Sequence, residues 1–144
     1  MIDTQENLPI TASLAADSKR LSFLPAYFSP RLMMRGENLV YAWLDRLSEG
    51  YSGGYWLFYE LSNGGFYMAP AAPDQLHVEV NGNGFGGKVS ADAAGIIATL
   101  FALGQLASEA QGTDACDLLI DRYHFLLAFA DGHAEAGAIF QAID

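Results

Sequence analysis

Four groups of residues have types and spacings that could support chemistry. Gly50-Tyr51-Ser52-Gly53-Gly54 fits G-x-S-x-G, the elbow that holds a nucleophilic serine on a sharp strand-to-helix turn. Gly82 to Lys88, reading GNGFGGK, fits G-x-x-x-x-G-K, the loop whose backbone amides cradle a phosphate. Asp117, Asp121 and His124 recur at helical spacing and would offer two carboxylates and an imidazole to a metal. Cys116 is the single thiol, which excludes an intrachain disulfide and a cysteine-rich zinc site.

Each group depends on the elements around it. The serine elbow needs a strand before it and a helix after it, whereas here a helical pattern precedes Ser52 and a β-forming run follows. The chain is also too short for the large parallel sheet that would carry a distant Asp and His. Ser52 therefore reads as part of a helix-to-strand connection. The phosphate loop has the right order, an apolar strand and then a helix. It lacks the Ser or Thr that binds magnesium, because Val89 stands there and Ser90 comes one place late. Asp117-Leu118-Leu119-Ile120-Asp121 does not supply a partner acidic strand, since its caps and periodicity are helical. The same glycines fit G-x-G-x-x-G, but no βαβ unit follows to receive a dinucleotide. A tight hairpin or a strand-to-helix turn accounts for them.

Metal and thiol chemistry fare no better. A metal site draws on more than one element, and the nearest supplements, His77 and Glu79, belong to a separate strand. Asp117, Asp121 and His124 thus read as the solvent face of a helix. Cys116 and His124 lie on one helix about 12 Å apart along its axis, too far for a nucleophile–base pair. Cys116 reads as a small core residue. No catalytic, cofactor-binding or metal-binding residue is predicted.

The pattern of elements is helices, then strands, then helices. Ser29-Pro30 opens a short helical turn through Met34. Gly36–Ser48 follows as an amphipathic helix carrying Leu39, Val40, Trp43, Leu44 and Leu47. Residues 50–70 hold seven aromatics and five glycines and form a hairpin. Strand Tyr55–Leu61 turns at Asn63-Gly64 into Phe66–Ala69, so a two-residue loop would place Leu61 opposite Phe66 and Tyr59 opposite Met68. Gln75–Val80 is a third strand with Leu76, Val78 and Val80 on one face, followed by a turn at 81–84 and a weak edge strand to Val89. Ser90 caps a helix that Gly112 stops, and Thr113 caps the next. That helix, Asp114 to Ala130, is apolar almost all round and is predicted to be the central one. His133–Ile143 is the last. The expectation is an α+β fold: one small antiparallel sheet of three to four strands, packed with helices from both ends of the chain. Residues 1–20 form a loose arm and 21–144 a single domain.

Composition limits the function classes. Half the residues are hydrophobic and 17% are charged, which excludes disorder over most of the length. No run of eighteen apolar residues marks a membrane span. Acids early and a basic pair late in the first twenty residues are the reverse of a secretory signal, which predicts a cytoplasmic protein. The formal net charge is −10, unevenly placed. Residues 109–144 hold Glu109, Asp114, Asp117, Asp121, Asp131, Glu135 and Asp144 against Arg122 alone. A basic footprint for nucleic acid is absent, so no direct nucleic-acid binding is expected. Apart from Glu109, these acids are the candidate surface for a basic partner protein.

From about Leu21 to the C-terminus the chain resembles the ArdB/KlcA antirestriction family. The resemblance rests on Leu21-Ser22-Phe23-Leu24-Pro25 to Phe28, Tyr41-Ala42-Trp43-Leu44, Tyr55-Trp56 with Asn63-Gly64-Gly65-Phe66-Tyr67-Met68, and the tract Val89–Gly95. It implies a small α+β protein of mobile elements that protects incoming DNA from type I restriction enzymes of the host. The resemblance brings no catalytic residues and no cofactor. Its expected partner is the host type I restriction–modification complex, reached directly or through an intermediary. Imitation of DNA is disfavoured by magnitude: at one charge per roughly 1.7 Å of duplex, ten net charges match only about 17 Å. An acidic module acting on another host factor is the alternative.

Overall fold

The computed structural model describes residues 8–144. A short strand β1 (Ala12–Leu14) and a 3-10 turn (Asp17–Lys19) lead into α1 (Arg20–Phe28) and α2 (Met33–Leu47). Four strands follow: β2 (Trp56–Leu61), β3 (Phe66–Pro70), β4 (Gln75–Val80) and β5 (Phe85–Ser90). Three helices close the chain: α3 (Ala91–Glu109), α4 (Asp114–Asp131) and α5 (Ala136–Ile143). The class is the expected α+β.

The strands make two antiparallel sheets, β1-β2-β3 and β4-β5, where a single sheet of three to four strands was predicted. The separation has a local cause, because α3 covers the outer edge of β3. The Thr99 hydroxyl accepts from the Met68 N–H at 3.3 Å and donates to the Met68 carbonyl at 3.4 Å. Pro70 offers no N–H to that edge, so β4 has nothing to pair with there. The approach is close enough that a Cβ on Gly95 would stand 2.3 Å from the Met68 oxygen.

The register of the first hairpin corrects the expectation by one residue. Glu60 faces Phe66 and Tyr59 faces Tyr67. A two-residue loop is replaced by three residues, Ser62 to Gly64, with Gly64 N–H bonded to Leu61 O and Gly64 at φ 94°. That is a type I turn with a glycine bulge, and the extra residue moves every pair. Trp56, Phe58, Phe66 and Met68 consequently share one face. Phe23, Tyr27 and Phe28 of α1 stack on its Phe58 and Phe66. Tyr67, on the opposite face, stacks on Phe129 of α4.

The predicted loose arm is corrected from Ala12 onward. Ala12, Ser13 and Leu14 pair with Leu61, Glu60 and Tyr59, so this segment is the exposed edge strand of the sheet. Residues 1–7 lie outside the described residues. Residues 20–28 were not predicted as a helix, and Pro25 stands inside α1. The two pieces expected over 29–48 form one helix from Met33. The predicted centrality of α4 is also corrected. α3 has thirteen of its nineteen residues buried, whereas α4 buries only Leu119, Leu126 and Ala130. Alanines and Gly95 let the sheet and the neighbouring helices approach α3 closely, while the bulky residues of α4 cover one side of it. An eighteen-residue window of α3 reaches mean hydropathy 1.4, long and apolar enough to cross a membrane, but 72% of it is buried as core.

Candidate functional site

The motif residues fall in a helix-to-strand connection, a hairpin and a helix face. Ser52 is exposed between α2 and β2, beside Gly53 and Gly54 at φ 89° and 125°. A strand follows it where an elbow needs a helix. Gly82 and Gly84 lie in the turn of the β4–β5 hairpin, Gly86 and Gly87 in β5, and Lys88 pairs with His77 across it. His77 lies 3.0 Å from Glu79 in a cleft shared with Arg46 and Glu49, whereas α4 contributes nothing to that cleft. His124 turns Nδ1 to its own helix, 2.9 Å from the Ile120 carbonyl. The half-buried Cys116 thiol donates to the Ala107 carbonyl at 3.4 Å.

One polar network was not foreseen. Tyr67 donates to Asp92 Oδ1 at 2.7 Å, and His133 Nε2 lies 2.8 Å from Asp92 Oδ2. The Glu135 N–H donates to His133 Nδ1 at 2.9 Å, which fixes Nδ1 as the acceptor and places the proton on Nε2. Both ring nitrogens are therefore engaged, and His133 is not free to act as a base toward a substrate. Burial, and then the bond to Asp92, push the Tyr67 phenol well above its ordinary range.

The same network removes Glu135 from the acidic surface. Its carboxylate accepts from Ser90 N–H at 2.9 Å and from the Ser90 hydroxyl, while the Ser90 oxygen accepts from Ala93 N–H at 3.0 Å. In a capping box the glutamate stands three residues after the cap. Ala93 occupies that place here, and Glu135 substitutes from forty-five residues away. The serine was a readable signal; its distant partner was not.

The other predicted residues divide by position. Asp114, Asp117 and Asp121 are exposed along one side of α4, three and four residues apart. Asp131 is exposed at the far end of the helix, roughly 25 Å from Asp114 along the axis. Asp144 is exposed at the chain end beyond α5. None of these five carboxylates has an ion-pair partner among the described residues. The acids are thus one contiguous stripe of three and two outliers. Arg122 does not offset the stripe: its Nη1 donates to Gly64 O at 2.6 Å and its guanidinium sits 5.1 Å from the Tyr27 ring.

Beside the stripe lies an apolar groove of about 480 Å³. Trp43 of α2, Phe101 and Gly104 of α3, Ile120 and Tyr123 of α4 and Ile143 of α5 line it. Trp43 and Phe101 stack with centroids 4.6 Å apart, and Gln105 accepts from the indole N–H at 3.0 Å, so that wall is fixed.

The model of the antirestriction protein family matches residues 49–144. Two Escherichia coli antirestriction proteins KlcA are 66% and 59% identical to the chain, over 99% and 100% of it and the whole of each relative. An Escherichia coli K12 protein described as uncharacterized, YafX, is 39% identical over 97% of the chain and 91% of its own length. A solved structure of this group superposes with TM-score 0.88 at 68% identity, covering 95% of this chain and 96% of the other. It was described with the statement that KlcA and ArdB show a novel fold and antirestriction activity against type I DNA restriction systems in vivo but not in vitro. The chain belongs to the antirestriction protein family.

Proposed function

We propose that this protein acts in the cytoplasm to protect incoming mobile-element DNA from host type I restriction endonucleases. It does so by protein–protein contact and not by imitating DNA. The observation that carries the reading is the stripe Asp114, Asp117 and Asp121, exposed on one helix face with no ion-pair partner among the described residues. Three carboxylates spaced over about two helical turns suit a basic protein surface; they are too few and too local to follow a DNA backbone. Asp131 and Asp144 lie outside this contact. The restriction complex is the partner, reached through an intermediary present in the cell. The related proteins' activity in vivo but not in vitro favours that route over direct inhibition.

Replacing Asp114, Asp117 and Asp121 together by Asn should lower protection in a phage-restriction assay by roughly tenfold or more, as loss of a charged contact does. Full protection by the folded triple variant would remove the stripe from the mechanism. Pull-down from cells with and without a type I system tests the route: restriction subunits recovered from the first together with an intermediary recovered from both support it, whereas a host factor recovered from both with no restriction subunit from the first assigns the protein to another target.

A further inference from the structure

We propose that the groove between α2, α3, α4 and α5 receives the apolar face of a basic amphipathic helix on the partner protein. The inference rests on the protein–protein reading above and gives the partner a chemistry. Three observations lead to it.

The walls are helices. Among the described residues no strand edge opens into the groove, so an extended peptide lying there would find no backbone partners for its own amides. A helix satisfies its backbone internally and presents side chains at i, i+3 and i+4, which is how helices fill apolar grooves.

The floor is kept low by a glycine. Gly104 is exposed in the middle of α3, where glycine is a poor helix residue. Packing does not require it, because the nearest heavy atom to an added Cβ is Tyr123 Cε2 at 3.9 Å. Gly95, on the same helix, is required by a 2.3 Å approach to Met68 O. A side chain at 104 would instead project into the groove.

The α4 side of the rim is acidic, whereas on the α2 side the Arg46 guanidinium lies 4.8 Å from the centre of the Trp43 ring. Asp117 and Asp121 flank Ile120 on α4, and Ile120 itself is 40% exposed with its apolar surface toward the groove. A lysine- or arginine-bearing flank of the incoming helix would meet them as its apolar face descends on Ile120, Phe101 and Trp43.

The test uses the full chain and a synthetic Leu/Lys amphipathic helical peptide, with a Leu/Glu peptide of the same pattern as counterpart. In a 15N NMR titration the lysine peptide should give saturable shifts centred on Gly104, Gln105, Ile120 and His124, and the glutamate peptide should give none there. G104L, which fills the groove, should abolish the shifts, and so should I120K at an already exposed position. D117N/D121N should weaken binding about tenfold. Equal response to both peptides, or shifts elsewhere on the surface, overturns the proposal. In the phage-restriction assay, a folded G104L that protects fully while the triple aspartate variant fails overturns the groove alone. Loss in G104L with full protection by the aspartate variant retains the groove and overturns the acidic stripe.

Discussion

Two glycines on α3 separate what the fold needs from what it tolerates. At Gly95 a methyl group would collide with Met68 O at 2.3 Å and with Ala69 Cα at 2.5 Å, both main-chain atoms held by the sheet. Gly95→Ala should therefore destabilise the protein by about 3 kcal/mol or more, since neither helix nor strand can withdraw without opening the core. At Gly104 the same change meets only ordinary contact, so Gly104→Ala should stabilise the chain by roughly 0.5–1 kcal/mol. Urea midpoints for the two variants should move in opposite directions with unchanged slopes. A loss of stability in both would mean that α3 is packed more tightly at 104 than the 3.9 Å clearance indicates.

Elements are joined here by side chains whose partners are remote, and this decides what could be read beforehand. Arg35 of α2 grips Glu109 at the end of α3 through Nε at 3.0 Å and Nη2 at 2.7 Å, and Gln105 adds a third bond at 3.0 Å. The Arg35 and Gln105 hydrogen bonds hold the Glu109 carboxyl at about 2, below its ordinary 4.5. A lowered folded-state value contributes stability above pH 4.5 that is lost as pH falls toward 2. The stability gap between wild type and Glu109→Gln should accordingly close on acidification through that window and shrink in high salt, because both groups are substantially exposed. A gap that persists at about pH 2 would assign it to lost packing. Nothing local announces Arg35 and Glu109 as partners across seventy-four residues. The same is true of Glu135 on Ser90 and of Thr99 on Met68, which is why two sheets could not be told from one. Local signals were legible: the Ser90 cap, the stop at Gly112, the alternation of Leu76 and Val78, and the turn at Asn63-Gly64. Even there the register slipped. The Asn63 side chain accepts from Gly65 N–H at 3.0 Å and donates to Phe125 O at 2.9 Å, a latch onto α4 that helps hold the longer loop. The exposure of Asp114, Asp117 and Asp121 on one face of α4 was legible in their helical spacing, but the groove beside them is assembled from four helices and has no sequence signature.

Across the molecule, the net charge is −10, and the acids of α4 contribute to it without any ion-pair partner among the described residues. Arg122, the one base between 109 and 144, is turned inward to Gly64 and Tyr27, so the outer side of α4 has no cation of its own. Asp114 and Asp117 at least stand in the first turn, where the helix dipole favours them. Asp121 is beyond that turn and one helical repeat from Asp117, a like-charge pair that costs a few tenths of a kcal/mol. Reversing it, Asp121→Lys, converts repulsion to attraction and introduces a better helix former. Stability should rise by roughly 0.5–1 kcal/mol in low salt and by less in high salt. Protection against restriction should fall with the same substitution, because in the proposed contact the charge it removes faces the partner. Opposite signs for stability and activity are expected of a surface kept for contact. A variant that gains stability and still protects fully would leave Asp121 as an idle charge. One that loses stability would show that repulsion along α4 is not what the stripe costs.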